Sequence, residues 1–161
     1  MPLTIRPARP DDIGTVLALI RELADYEKLA HEVVATEADI AGALFCDHPK
    51  LFCDLAEWNG SVAGFAVWFV NFSTFAGRPG IYLEDLFVRP VFRCNGIGQA
   101  LLGHLAKTCV ERDYARLQWS VLDWNAPSIT FYKSLGAELM DDWTLCKVTG
   151  ASLAQLAEKA P

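Results

Sequence analysis

The chain is 161 residues long, 52% hydrophobic and 21% charged, with a formal net charge of −6. That length buries a sizeable core in one domain and calls for no second. An acidic balance without clustered Lys and Arg argues against a nucleic-acid partner, and the longest apolar stretch, residues 62–70, is too short to cross a bilayer.

In chain order, residues 3–6 alternate as a strand. Pro10, Asp11 and Asp12 then open a helix whose Ile13, Val16, Leu17, Ile20, Leu23 and Ala24 share one face. Thr36 and Asp39 form a variant capping box ahead of a short helix through Ile40 and Leu44. Residues 51–58 and 61–71 read as strands joined at Asn59-Gly60, a strong hairpin signal. A strand at 81–88 follows the turn Gly77-Arg78-Pro79-Gly80, and Leu101, Leu102, Leu105, Ala106 and Cys109 recur at helical spacing from about residue 98 to 112. Residues 116–122 read as a strand. Pro127 suits the first position of the next helix, which Gly136 closes. Residues 137–140 and 143–148 are expected as two final strands, with a short helix from Ser152 onward. The predicted order, β-α-α-β-β-β-α-β-α-β-β, is mixed α/β: a mostly antiparallel sheet of six to seven strands with flanking helices, not a doubly wound one.

Between the strand at 81–88 and its helix lies Arg93-Cys94-Asn95-Gly96-Ile97-Gly98-Gln99. A loop entering a helix N-terminus presents unpartnered N–H groups and a positive dipole end, which together can hold a phosphate or pyrophosphate. It is not a P-loop, because Gln99 and Ala100 stand where Lys and Ser or Thr would be needed. Nor does it complete the dinucleotide fingerprint, because Leu101 replaces the third Gly. The five cysteines, Cys46, Cys53, Cys94, Cys109 and Cys146, are scattered without a C-x-x-C, which suits a reducing compartment. His31, His48 and His104 are isolated, so spacing outlines no metal site. The N-terminus lacks the basic-then-apolar design of a signal peptide, and a cytoplasmic protein is expected.

Arg93-x-x-Gly96-x-Gly98 after a strand carrying Glu84-Asp85 resembles the acyl-CoA loop of the GNAT superfamily of N-acetyltransferases. Within that superfamily the chain is most similar to the diamine (spermidine/spermine) and thialysine N-acetyltransferases. The likeness rests on Ile5-Arg6-Pro7-Ala8, Glu22-Leu23-Ala24-x-Tyr26-Glu27, Tyr82-Leu83-Glu84-Asp85-x-x-Val88 and Trp124-Asn125-x-Pro127-Ser128-Ile129-x-Phe131-Tyr132, leading into Leu135-Gly136-Ala137. It reaches nearly the whole chain and implies a single N-acetyltransferase domain over residues 1–161, acting on a small-molecule amine with acetyl-CoA as cosubstrate and no metal.

By that resemblance Glu84 is the base, taking the amine proton directly or through water, and Tyr132 is the acid that protonates the departing thiolate. Main-chain groups of Leu86, Phe87 and Val88 pair with the pantetheine arm as an added strand would, and one N–H polarises the thioester carbonyl. The pyrophosphate lies on the N–H groups of Cys94, Asn95, Gly96, Ile97, Gly98 and Gln99, with Arg93 adding charge. Asn125, Pro127, Ser128 and Tyr132 complete the cofactor contacts. Tyr26, Glu27, Glu84 and Trp143 line the amine end. Strand alternation places Glu84 and Asp85 on opposite faces, so no carboxylate dyad is expected. The segment 71–77 lacks the carboxylate that polyamine enzymes carry there, which favours a short diamine or a lysine- or thialysine-like amino acid. The resemblance also implies a homodimer, while charge and the short apolar stretch leave no nucleic acid and no membrane expected as partner. Two alternatives stay open: a non-catalytic acetyl-CoA sensor or interaction module, and transfer to a protein amine.

Overall fold

The computed structural model describes residues 3–161, which form two compact units dividing after Asn125. The first unit holds the whole sheet. Strands β1 (Leu3–Pro7), β2 (Phe52–Trp58), β3 (Ser61–Ser73), β4 (Arg78–Val88) and β5 (Leu117–Trp119) lie in the order β1-β2-β3-β4-β5. All neighbours are antiparallel except β4 and β5, which run parallel over three residue pairs. Helices α1 (Ile13–Tyr26) and α2 (Glu37–Leu44) fall between β1 and β2, and α3 (Ile97–Glu111) between β4 and β5.

Local chemistry accounts for these boundaries. Thr36 and Asp39 close the expected capping box: Asp39 N donates to Thr36 Oγ1 at 3.3 Å, and Thr36 N donates to Asp39 Oδ2 at 2.8 Å. Asn59 and Gly60 both have positive φ, 50° and 79°, which gives a two-residue hairpin the twist of its strands. The β3–β4 hairpin is longer than the sequence suggests. Ser73 caps its tip, accepting from Gly77 N at 2.8 Å, and β4 begins at Arg78 rather than after Gly80.

Alternation along the sheet sends Leu55, Phe65, Val67 and Phe87 toward α1 and α2, where they pack with Val16, Leu19, Leu23 and Leu44. On α3, Ile97, Leu101, Leu102 and Leu105 are buried. Arg89, just past β4, clamps Glu22 of α1 through Nε and Nη2 at 2.8 to 3.1 Å and donates Nη1 to Val62 O at 3.0 Å. This bidentate pair fixes α1 against the end of β4.

The second unit contains α4 (Ala126–Ser134) and α5 (Gly150–Ala157). The strands expected at 137–140 and 143–148 do not form, so the described sheet has five strands rather than six or seven. The segment carries strand-like apolar residues, yet Trp143 and Leu145 are 76% and 85% exposed. A strand exists only against a neighbour that accepts its ladder, and this stretch has none among the described residues.

Candidate active site

The turn into α3 is built to present main-chain donors. Cys94 and Gly96 both take left-handed backbone, with φ of 63° and 74°, as in turns whose successive N–H groups form anion-binding concavities. Among the described residues no N–H from Cys94 to Gln99 donates to a main-chain acceptor; the helix ladder starts with Ala100 N to Gly96 O at 2.9 Å. Cys94, Asn95, Gly96 and Gln99 are exposed, while Ile97 is buried and anchors the turn. The Asn95 amide braces the loop by donating to the carbonyls of Phe92 and Arg93 at 3.0 and 3.1 Å. Unpartnered N–H groups at a helix N-terminus can hold an anion.

Beside this turn the sheet opens. Parallel pairing of β4 with β5 covers Ile81, Tyr82 and Leu83, so among the described residues 84–88 of β4 carry no ladder on that side. Tyr82 and Ser120, hydroxyl to hydroxyl at 2.8 Å, mark where the strands part. Leu86, Phe87 and Val88, assigned from sequence to hold an extended ligand, all lie on this open edge. Arg93 folds back over it: Nε donates to Val88 O at 2.9 Å, and the guanidinium lies 5.0 Å from the Tyr26 ring centroid and 5.6 Å from that of Phe87.

The register of β3 and β4 corrects the strand-alternation reading of Glu84 and Asp85. Val67 pairs with Asp85 but Trp68 pairs with Leu83, which makes Glu84 the extra residue of a bulge. Alternation therefore does not separate the two carboxylates. Glu84 is exposed, and its charge acts on the partly buried Asp85. Burial first, then the charges of Glu84 and Glu27, push the Asp85 carboxyl up to about 7, and burial alone raises Glu27. Sequence reasoning set Asp85 aside; no single-strand pattern reveals a bulge, because a bulge is a property of the pairing.

Tyr26 and Glu27, at the end of α1, join this cluster. The Tyr26 hydroxyl donates to Oδ1 of the buried Asn125 at 3.2 Å, and its ring lies 6.5 Å from Phe87 and 6.2 Å from Trp124. The structure thus brings together Tyr26, Glu27, Glu84, Leu86, Phe87, Val88, the 93–99 turn and Asn125 within the first unit. The other sequence-assigned residues, Pro127, Ser128, Tyr132 and Trp143, belong to the second. Pro127, Ser128 and Tyr132 lie on α4, with the Tyr132 ring 5.5 Å from Phe131, and Trp143 lies in the exposed stretch that follows. Among the described residues no three His, Cys, Asp or Glu side chains gather as metal ligands, and no helix is long and apolar enough to cross a membrane.

An open strand edge, a donor-lined turn and a carboxylate poised near neutrality together suit transfer from an extended anionic carrier to a cationic nucleophile. Comparison with known proteins agrees. Residues 17–137 match the family model described as acetyltransferase (GNAT) family. The chain is 34% identical to the thialysine N-epsilon-acetyltransferase of Bos taurus, over 96% of this chain and 97% of that one. It is 31% identical to an L-ornithine N5-acetyltransferase of Arabidopsis thaliana, over 92% and 85% respectively. Among solved structures, an integron cassette protein from the mobile metagenome of V. cholerae superposes with a TM-score of 0.82 at 28% identity, covering 99% of both chains.

Proposed function

The chain belongs to the GNAT acetyltransferase family and is an N-acetyltransferase; from that footing we propose that it moves an acetyl group from acetyl-CoA directly to the primary amine of a lysine- or thialysine-like amino acid or a short diamine. The observation that carries this reading is the pairing of free main-chain donors at 94–99 with the unladdered β4 edge ending at Val88. In this reading the whole of residues 1–161 acts as one domain, which the family match running across Asn125 supports.

When bound, acetyl-CoA supplies an acyl group activated as a thioester. The residues present fit it: N–H groups of Cys94 through Gln99 hold the pyrophosphate, and the main chain of Leu86, Phe87 and Val88 takes the pantetheine amides as β-augmentation. Arg93 leaves the Val88 carbonyl as that arm enters and turns its charge toward the phosphates. Asn125 and Ser128 contribute the remaining polar contacts and Pro127 an apolar one.

An alkylamine with a pKa near ~10.4 arrives protonated and cannot attack. Glu27 and Asp85, both raised by burial, are carboxylates whose ionised forms lack compensation, and a cation between them and Tyr26 restores it. Glu84 is the exposed carboxylate that takes the amine proton, directly or through water. Asp85, with a carboxyl near 7, lies beside it as a second acceptor within the same cluster. Tyr132 donates its hydroxyl proton to the thiolate as it leaves. Trp143 closes the acceptor wall. The printed names of the similar enzymes, thialysine and ornithine acetyltransferases, support an ω-amino acid as acceptor.

The test is CoA release from acetyl-CoA against thialysine, lysine, ornithine, putrescine and spermidine. Turnover highest with one of the first four supports the assignment. Absence of turnover with every amine, despite coenzyme binding, would overturn it.

A further inference from the structure

The turn that ends α1 holds a charge that acetyl transfer leaves unused. It is a Schellman arrangement: Leu29 N donates to Ala24 O at 2.7 Å and Lys28 N to Asp25 O at 3.0 Å. Lys28 thereby takes left-handed backbone, with φ of 62°, at the position where helices ordinarily carry Gly. A side chain there is strained. The helix dipole favours a cation anywhere in the last turn, so it does not account for one on the residue where Gly fits without strain.

Packing places the ammonium. Lys28 Nζ lies 4.8 Å from the Trp124 ring centroid, and that ring lies 6.2 Å from the Tyr26 ring. Among the described residues the ammonium makes no ion pair and no hydrogen bond. Nor does it compensate its neighbours: burial alone raises Glu27, and the charges acting on Asp85 are those of Glu84 and Glu27. Arg93, the other cation near Tyr26, has Nε on the Val88 carbonyl. The acceptor end therefore carries two charge fields held apart, the carboxylates Glu27, Glu84 and Asp85 and an unpaired cation against Trp124. A ligand complementary to both is cationic at one end and anionic at the other. A diamine meets the first field and brings its second ammonium toward a like charge.

We infer that Lys28 selects an amino-acid acceptor over a diamine, its ammonium pairing with the α-carboxylate while the ω-ammonium lies among Glu27, Glu84 and Asp85. The inference rests on the acceptor end assigned above and narrows its ligand to a zwitterion. The test is calorimetric titration of the CoA-loaded protein with lysine, lysinamide and cadaverine, which share the ω-amine and differ in the carboxylate. CoA carries no acetyl group, so binding is read without turnover. The parent is expected to bind lysine about tenfold more tightly than lysinamide. Lys28→Met keeps an apolar stem over Trp124 without the charge; it should weaken lysine about tenfold and leave lysinamide and cadaverine unchanged or tighter. Lys28→Arg should keep the parent's preference. Lys28→Gly relieves the left-handed backbone and should melt higher while losing the preference, which separates a ligand contact from a structural one. No binding of lysine to the parent, equal lysine affinity in Lys28→Met, an equal loss for all three ligands, or loss of the preference in Lys28→Arg would overturn the inference. A parent that binds lysine through Lys28 yet releases no CoA from acetyl-CoA would sink the catalytic reading alone. A parent that acetylates lysine no better than Lys28→Met does would sink this inference alone.

Discussion

Replacing Asp85 by Asn is expected to make the protein more stable and less active, and the pH dependence of the first effect identifies its cause. The Asp85 carboxyl stands at about 7 in the folded chain, against a usual value of 3.8. Between those two pH values the folded state keeps a proton that the unfolded state has lost, so stability falls as pH rises through the window and levels off above about 7. Three pH units correspond to about 4 kcal/mol; partial solvent access of the carboxyl reduces this to roughly 2 to 4 kcal/mol of unfavourable charge burial at pH 8. Asn fills the same space without that cost. Thermal unfolding should therefore show Asp85→Asn melting above the parent by about 4 to 8 °C or more at pH 8, with the gap closing toward pH 4. A cationic acceptor should raise the parent's Tm at pH 8 and leave the variant's nearly unmoved. Turnover of the variant should fall about 100-fold, and the parent's kcat/KM should decline as pH drops below about 7. A stability difference that stays constant from pH 4 to pH 8, or a variant less stable at pH 8, would refute the reasoning.

Gly96→Ala forces a side chain into left-handed backbone where nothing crowds it, so it should cost about 1 to 2 kcal/mol of stability and raise the Kd for CoA, checked by melting and by titration. At Gly64 an added Cβ would collide with the carbonyl oxygen of Phe87; Gly64→Ala is expected to lose about 1 to 3 kcal/mol and to raise KM for acetyl-CoA, because Phe87 and Val88 must shift along the open edge. Tyr132→Phe should lower kcat about 100-fold with KM for the amine unchanged, measured by CoA release; full activity would remove Tyr132 from the acid role.

Features set by neighbouring residues were legible in the sequence, and features set by pairing across the fold were not. The Thr36–Asp39 box, the Asn59-Gly60 turn and the glycines before α3 each act over a few residues, so their chemistry can be read from the chain alone. The bulge at Glu84 exists because β4 takes two steps where its partner β3 takes one, and nothing in residues 81–88 records that offset. Trp143, Leu145 and Val148 carry an apolar strand pattern, but a pattern supplies a face and not a partner, and in this structure the ladder is missing. The packing of the Arg93 guanidinium near the Tyr26 and Phe87 rings, with Nε on the Val88 carbonyl, joins residues far apart in the chain and could not be read from the loop alone.

The central claim is that the main-chain donors of residues 94–99 grip the pyrophosphate of coenzyme A. Calorimetric titration of CoA beside pantetheine, which shares the arm but lacks the pyrophosphate, tests it most directly. The account predicts one saturable CoA site per chain and an affinity for pantetheine weaker by about 100-fold or more. No heat with CoA, or equal affinity for the two, would contradict it.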